Sequence, residues 1–322
     1  MLHLDGAAQM KDGDYSSKCP ICSDPTPRRV YEFSDFAVLR CRECDNSWRS
    51  NMYSEEKIRD IYCGVEYESN PYFSYDVQQV GTLATPRIKN YQRALDYIES
   101  VAGPGRLLDI GCGVGSFLAL AQKRGWEPHG VEMSPGLSAA CERNLGIDVI
   151  TGRFEDVKLP AGRFDVITMW DVIEHVIDPE FCISKVKELL RPGGMAVFCT
   201  PDEESILART GLALYKLTGS RYRYPAFALH PPYHTYFFSR KGFIRLLNDS
   251  GLTVTKCYSQ EAFFEHSHLA GGVQKTGIGL IEKIGSVLDS CYELVAFARS
   301  DEAKLSRVSG GDREVAEIGA RP

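Results

Sequence analysis

Residues 106–120 read RLLDIGCGVGSFLAL. An apolar run of strand length gives way to three glycines at alternate positions, Gly111, Gly113 and Gly115, and then to the start of a helical pattern. Glycine lets the backbone turn tightly and approach a ligand without side-chain hindrance, and the helix that follows presents unpaired N–H groups. The spacing departs from the dinucleotide fingerprint Gly-x-Gly-x-x-Gly, because the third glycine arrives one residue early, where no pyrophosphate need be cradled. A bare glycine repeat carries little weight, so its surroundings decide the fold.

Downstream, strand-like runs alternate with helical patterns: EPHGVEMS, GLSAACERNLG, DVITGR, RFDVITMW, PEFCISKVKELLR and GMAVFCTP. Upstream, Ile88, Tyr91, Leu95 and Ile98 fall at helical spacing and predict a leading helix. This alternation predicts an α/β fold, a doubly wound and mostly parallel sheet covered on both faces. Two stretches interrupt it, at about 202–238, rich in aromatics, and at about 260–289, which contains the helical GIGLIEKIGSVLDS. The predicted organisation is a loose arm over 1–18, a cysteine module over 19–50, a helical and aromatic linker over 51–85, a main domain over 86–300 with lid insertions at those two places, and a polar tail over 301–322.

Cys19-x-x-Cys22 and Cys41-x-x-Cys44, separated by 18 residues, have the spacing of a four-thiolate zinc ribbon. Four sulfurs leave no open coordination position, so the zinc is expected to be structural, stapling a segment with few apolar groups. The other cysteines are scattered through apolar runs and read as reduced thiols. With 43% hydrophobic and 25% charged residues, the 322-residue chain can bury a large core. A net charge of -6 argues against a phosphate-neutralising surface and so against a nucleic-acid partner, although Arg28, Arg29, Arg40, Arg42 and Arg49 give the module a local basic bias. No stretch has the length of apolar sequence that a membrane span needs, and the N-terminus has neither the basic start nor the apolar core of an export signal; the chain is read as cytoplasmic.

Glu132 ends the second predicted strand, 21 residues after Gly111, where an acid can take both hydroxyls of a ribose. Met133, the next residue, can lie against an adenine. Taken together, Asp109-x-Gly111-x-Gly113-x-Gly115, Glu132, GRFEDV, FDVITMWDVIEHVIDP and LLRPGGMAVF resemble, in order, the class I S-adenosylmethionine-dependent methyltransferases. The resemblance implies a seven-stranded sheet with its last strand antiparallel. It also implies a glycine loop under the methionine part of S-adenosylmethionine, Glu132 on the ribose, Phe154 and Glu155 near the adenine, and Trp170 and Asp171 bordering the cofactor. The N-terminal module resembles the zinc modules of bacterial methyltransferases of sugar and natural-product pathways.

Asp171, Glu174 and His175 fall at i, i+3 and i+4, which on a helix is one face. The segment resembles a metal site of ubiquinone-pathway O-methyltransferases and small-RNA methyltransferases, which have Glu at the first position. The plainer reading has Glu174 and His175 bracing a short helix. His230 and His234 lie in the aromatic insertion, and a neutral imidazole suits removal of a hydroxyl proton. YHTYFFS also resembles sugar C-methyltransferases, but Tyr233 stands where those have Glu. The sequence therefore predicts an S-adenosylmethionine-dependent methyltransferase acting on a hydroxyl of a small metabolite (a sugar, a quinone-like phenol or a secondary-metabolite intermediate) with His234 as base and His230 beside it. The rival readings are an RNA methyltransferase guided by the ribbon, a sugar C-methyltransferase, and a cofactor-binding protein without catalysis.

Overall fold

The structure, a computed structural model, describes residues 18–68, 86–219, 229–231, 233–262 and 272–300. Most of the expected arm, the aromatic end of the linker, parts of both insertions and the polar tail lie outside the described residues.

The centre is a seven-stranded sheet. Its strands are β4 (Arg106–Ile110), β5 (Glu127–Glu132), β6 (Val149–Thr151), β7 (Phe164–Trp170), β8 (Leu190–Pro201), β10 (Leu252–Gln260) and β11 (Glu293–Ser300). Their order is β10-β11-β8-β7-β4-β5-β6, with β4, β5, β6, β7 and β8 parallel and β11 antiparallel to both its neighbours. β4 is buried beyond its first residue, as a central strand covered on both faces must be. Helices α3 (Pro86–Val101), α4 (Ser116–Lys123), α5 (Pro135–Leu145) and α6 (Pro179–Leu189) supply the covering layers. From β4 the chain winds outward through β5 and β6, then returns to β7 on the other side of β4. The crevice at the carboxyl ends of β4 and β7 is thus the switch point where doubly wound sheets bind ligands.

The cysteine module builds a second sheet from β1 (Arg28–Glu32), β2 (Ala37–Arg40) and β3 (Ser47–Arg49). Its fourth strand comes from far along the chain: β9 (Tyr236–Phe237) pairs antiparallel with β3, Ser47 opposite Phe237 and Trp48 opposite Tyr236. One apolar core runs from Cys19, Cys41, Cys44 and Trp48 through Phe238 and Phe243 to Phe198 beneath the main sheet. Tyr31, Phe33 and Phe36 pack with Phe237 and with Tyr215 of α7 (Ile206–Leu217), whose hydroxyl accepts from the Glu32 N–H at 3.1 Å. The module is therefore welded to the domain it precedes.

Between the two sheets run α1 (Glu55–Tyr62) and the four-residue α2 (Val65–Glu68). Ser54 caps α1 by accepting the Lys57 N–H, with Glu55 and Glu56 in the first turn, where negative charge is favoured. The described structure also contains α8 (Arg240–Asp249) and α9 (Gly272–Leu288).

Candidate active site

At the end of β4 the three glycines all have positive φ, 72°, 55° and 89° for Gly111, Gly113 and Gly115. A Cβ on Gly111 would stand 2.5 Å from Val172 Cγ2, and one on Gly115 would stand 2.6 Å from Cys141 Sγ. Only glycine permits this close passage. The buried Glu132 carboxylate fixes the loop from the next strand, accepting the Gly113 N–H and the Ser134 N–H, each at 2.8 Å. Burial pushes its pKa up, and those two amides partly offset the rise. Asp109 is buried and accepts from Thr168 Oγ1 at 2.6 Å; burial raises its pKa to about 7 despite that bond. Met133 is half-buried behind Glu132.

Farther along the same edge, Trp170 ends β7 with its ring 4.8 Å from Tyr91 and 5.1 Å from Phe117, and its buried Nε1 has no hydrogen-bond partner. Asp171 follows in the left-handed region (φ 54°) and donates its N–H to the Cys199 carbonyl at 3.0 Å. A non-glycine residue held there marks a position that the surroundings over-determine. The Phe154 ring is turned into the core with Lys185 Nζ 4.9 Å above it, while Glu155 lies on the outer side, 3.4 Å from Arg153.

The expected helix over 171–175 is not formed. Residues 171–178 are a turn, because the Glu174 carbonyl accepts the Thr235 and Tyr236 N–H groups (2.8 and 3.0 Å) instead of an i+4 amide. That pairing replaces the predicted ligand set. His234, from the insertion, joins Glu174 and His175, one ligand atom from each lying within 4.8 Å of the others, and Asp171 is outside the group. The His175 and His234 rings meet edge to face at 4.6 Å. Glu174 Oε2 accepts from Thr200 at 3.1 Å, while Glu174 Oε1 and His234 Nδ1 are buried with no hydrogen-bond partner. Burial pushes Glu174 well up, holds His175 down to about 4, and holds His234 well below the ordinary histidine value, so both imidazoles are neutral near pH 7. One carboxylate oxygen and two neutral imidazoles, with Glu174 Oε1 and His234 Nδ1 left unpaired, form a three-ligand donor set that fits a divalent cation.

His230 lies deeper. It is wholly buried, hydrogen-bonded to Glu203 at 2.8 Å, and packed 4.4 Å from Tyr31 and 4.7 Å from Phe237.

In the cysteine module, Cys19 Sγ is 3.6 Å from Cys44 Sγ and Cys22 Sγ is 3.4 Å from Cys41 Sγ, and all four sulfurs share one site. Ser23 and Asp45, each just after a knuckle's second cysteine, both turn with positive φ (60° and 64°). The Glu43 and Cys44 N–H groups donate to Cys41 Sγ at 3.3 Å, an arrangement that favours thiolate, yet burial above all still leaves the Cys41 thiol pushed up to about 12. Converging sulfurs with amide donors fit a tetrahedral zinc ion. None of the described cysteines is in a disulfide, and of the seven outside the module Cys63 and Cys257 are half-buried.

Several residues at the site went unforeseen. Tyr62 Oη lies 2.7 Å from His175 Nδ1. Glu68 accepts from Ser134 Oγ and from the Gly136 N–H at the start of α5 (2.7 and 2.9 Å). Arg87, bonded to Tyr91 Oη at 2.9 Å, is the cation whose charge lowers Asp109 and Glu293. Glu293, at the start of β11, accepts from Gln260 at 2.9 Å and is raised to about 8 by burial and then by Asp171. Tyr62 lies in the helical run SEEKIRDIYCGVEY that follows the cysteine module and ends one residue before Glu68; nothing local marks Glu68, Arg87, Gln260 or Glu293.

A mostly parallel seven-stranded sheet with one antiparallel strand, a glycine loop after its first parallel strand and an acid after the second defines a class I S-adenosylmethionine-dependent methyltransferase. The family model described as "Methyltransferase domain" matches residues 83–256, and the chain belongs to that family. It is 31% identical over 174 residues to a ubiquinone biosynthesis O-methyltransferase of Coxiella burnetii (strain Dugway 5J108-111), covering 49% of this chain and 72% of that protein. With the protein of the same description from Nitrosococcus oceani it shares 33% identity over 207 residues, 56% of this chain and 83% of that one. The match to the Coxiella burnetii RSA 331 protein spans 56% of that protein's length. Among solved structures, the magnesium protoporphyrin IX methyltransferase of Synechocystis PCC 6803 with bound SAH shares the fold (TM-score 0.52, 14% identity, 77% of this chain and all of that one). No described helix is long and apolar enough to cross a membrane.

Proposed function

We propose that this methyltransferase places the methyl group of S-adenosylmethionine on a phenolic hydroxyl of a quinone-like small molecule. The observation that carries the reading is the Glu174–His175–His234 cluster, which follows β7 on the same carboxyl edge of the sheet as the glycine loop after β4. The O-methyltransferase relatives support the choice of acceptor atom.

Asp109 and the glycine-loop amides hold the methionine portion of the cofactor, with Arg87 as the cation for its carboxylate and Glu132 turned to the ribose. Met133 and Glu155 border the adenine, and Trp170 and Asp171 close the floor towards the acceptor. The sulfonium carbon is a strong electrophile, so the chain mainly aligns the acceptor oxygen about 3 Å from it and takes up one proton. His234, kept neutral by burial, has a lone pair to receive that proton. A divalent cation held by Glu174, His175 and His234 would engage that lone pair and supply, in place of the base, Lewis acidity that lowers the pKa of the phenol. His230 braces the lid through Glu203 and Tyr31. The four-cysteine centre holds a structural zinc ion that anchors β3 and, through it, β9 and His234.

Against an RNA acceptor stands the engagement of three of the module's five arginines within the protein. Arg29 pairs with Glu32, Arg40 pairs with Asp45 and Glu204, and Arg49 is buried against Phe36 and Tyr53. The proposed compartment is the cytoplasm.

The test is incubation with methyl-labelled S-adenosylmethionine, a panel of catechols and hydroquinones, and bulk RNA, with products resolved by mass spectrometry. Label on a phenolic oxygen is expected. Label on carbon, or recovered with RNA, would overturn the reading.

A further inference from the structure

His175 Nδ1 has two oxygen neighbours, Tyr62 Oη at 2.7 Å and the Tyr233 carbonyl at 3.1 Å. A carbonyl can only accept. A lone pair on Nδ1 could accept the Tyr62 O–H, but it would face the lone pairs of the Tyr233 carbonyl at hydrogen-bond distance. With a proton on Nδ1, one N–H is shared between the two oxygens, and the lone pair moves to Nε2. That atom faces the other way, 3.9 Å from the unpartnered Glu174 Oε1 and towards the His234 ring. A histidine that ligates or relays through one nitrogen ordinarily has its other N–H held in this manner, and the holder fixes both tautomer and ring orientation.

The Tyr233 carbonyl belongs to the histidine cluster's own segment. Tyr62 does not: it is the last residue of α1, and its ring also packs 5.5 Å from His175 and 4.9 Å from Tyr67. α1 and α2 are tied to the cofactor side at three further points. Glu55 pairs with Arg153 at 2.7 Å, Cys63 Sγ donates to the Met133 carbonyl at 3.4 Å, and Glu68 caps the start of α5. The segment following the cysteine module thus spans from the cofactor's acid, Glu132, to the acceptor histidines.

We infer that Tyr62 is a positioning residue for methyl transfer: with the Tyr233 carbonyl it holds His175 as the Nδ1–H tautomer, so that the Nε2 lone pair points into the Glu174–His234 cluster. The inference rests on the proposed acceptor site for its effect on turnover, but the tautomer can be read independently of any activity.

The experiment uses the full chain labelled with ¹⁵N-histidine, wild type and Tyr62→Phe, and reads the His175 ring nitrogens by long-range proton–nitrogen correlation, together with kcat and the cofactor KM. The wild type should show a protonated Nδ1 and a bare Nε2. Y62F, which keeps the ring, should mix the tautomers and lower kcat roughly ten-fold or more, with the cofactor KM unchanged. A wild type protonated on Nε2, or a Y62F variant with an unchanged tautomer, overturns the inference. If the tautomer behaves as expected but neither enzyme methylates a phenol, the role of Tyr62 at His175 stands and the proposed acceptor fails.

Discussion

The glycine loop and the histidine cluster share one edge of the sheet but are built in opposite ways. The loop and its acid come from one continuous stretch, β4 to the start of α5, and both buried acids there are hydrogen-bonded: Glu132 by Gly113 and Ser134 within the stretch, Asp109 by Thr168 of the adjacent strand. The histidine cluster is assembled from α1, the turn after β7, the insertion before β9 and the ends of β8 and β11, and it keeps two buried atoms without hydrogen-bond partners. The first region suits a ligand that never changes. The second is a convergence of distant segments, where insertions can reshape an acceptor pocket while the cofactor site stays as it is.

Changes on either side should separate the two regions. The largest effect is expected from Gly111→Val, whose side chain would overlap Val172 at a φ that valine avoids. S-adenosylmethionine affinity should fall on the order of 100-fold or more by calorimetry, because loop strain and lost amide contacts add. Retained affinity would mean that the loop does not hold the cofactor.

Cys44→Ser comes next. Loss of the metal should cost on the order of 5 kcal/mol of stability, seen as a lower Tm alongside metal content. The damage should be uneven. Because β9 pairs with β3, the Thr235 and Tyr236 amides should lose hydrogen-exchange protection well before the Gly113 amide does. Equal loss at both places would show the cysteine centre to be a general staple without preference for the acceptor side.

The pH dependence of stability also divides. Asp109 and Glu293 have folded pKa values, about 7 and about 8, above their unfolded ones. The folded chain therefore binds protons that the unfolded chain has released, and stability falls as pH rises through that range, by at most about 1.4 kcal/mol per pH unit for each group. His175 is shifted the other way, to about 4. Below about pH 6.5 the unfolded histidine takes up a proton that the folded one refuses, so its contribution is lost on acidification. Between pH 6.5 and 8, chemical denaturation of Asp109→Asn should show a shallower decline than the wild type; equal slopes would remove Asp109 from the account.

The smallest effect belongs to Glu55→Gln, which breaks an ion pair whose acid is 70% exposed. Stability should barely change, because water screens so exposed a pair. A larger loss in thermal denaturation would show that α1 depends on that single contact.

What could be read from the amino acids follows the same division. Asp109, the three glycines and Glu132 were legible because strand, loop and helix are consecutive and their periodicities differ. The 171–175 segment has helical spacing without a helix: an i, i+3, i+4 pattern says which residues would share a face only once backbone amides bond within the segment, and here the Glu174 carbonyl is taken by Thr235 and Tyr236. β9 is only two residues long and leaves no periodic signal, so the joining of the cysteine module to His234 could not be foreseen. Cys19, Cys22, Cys41 and Cys44 were readable because chelation fixes spacing, while the pairing of Tyr62 with His175, across more than a hundred residues, is fixed by packing alone.

The most direct measurement of the central claim, that one edge of the sheet holds the cofactor and the histidine cluster beside it receives the acceptor, is S-adenosylmethionine affinity and single-turnover methyl transfer measured side by side in His234→Ala. Cofactor affinity should stay within about two-fold of wild type while transfer falls by roughly 100-fold or more. Parallel loss of both, or transfer at the wild-type rate, would contradict it.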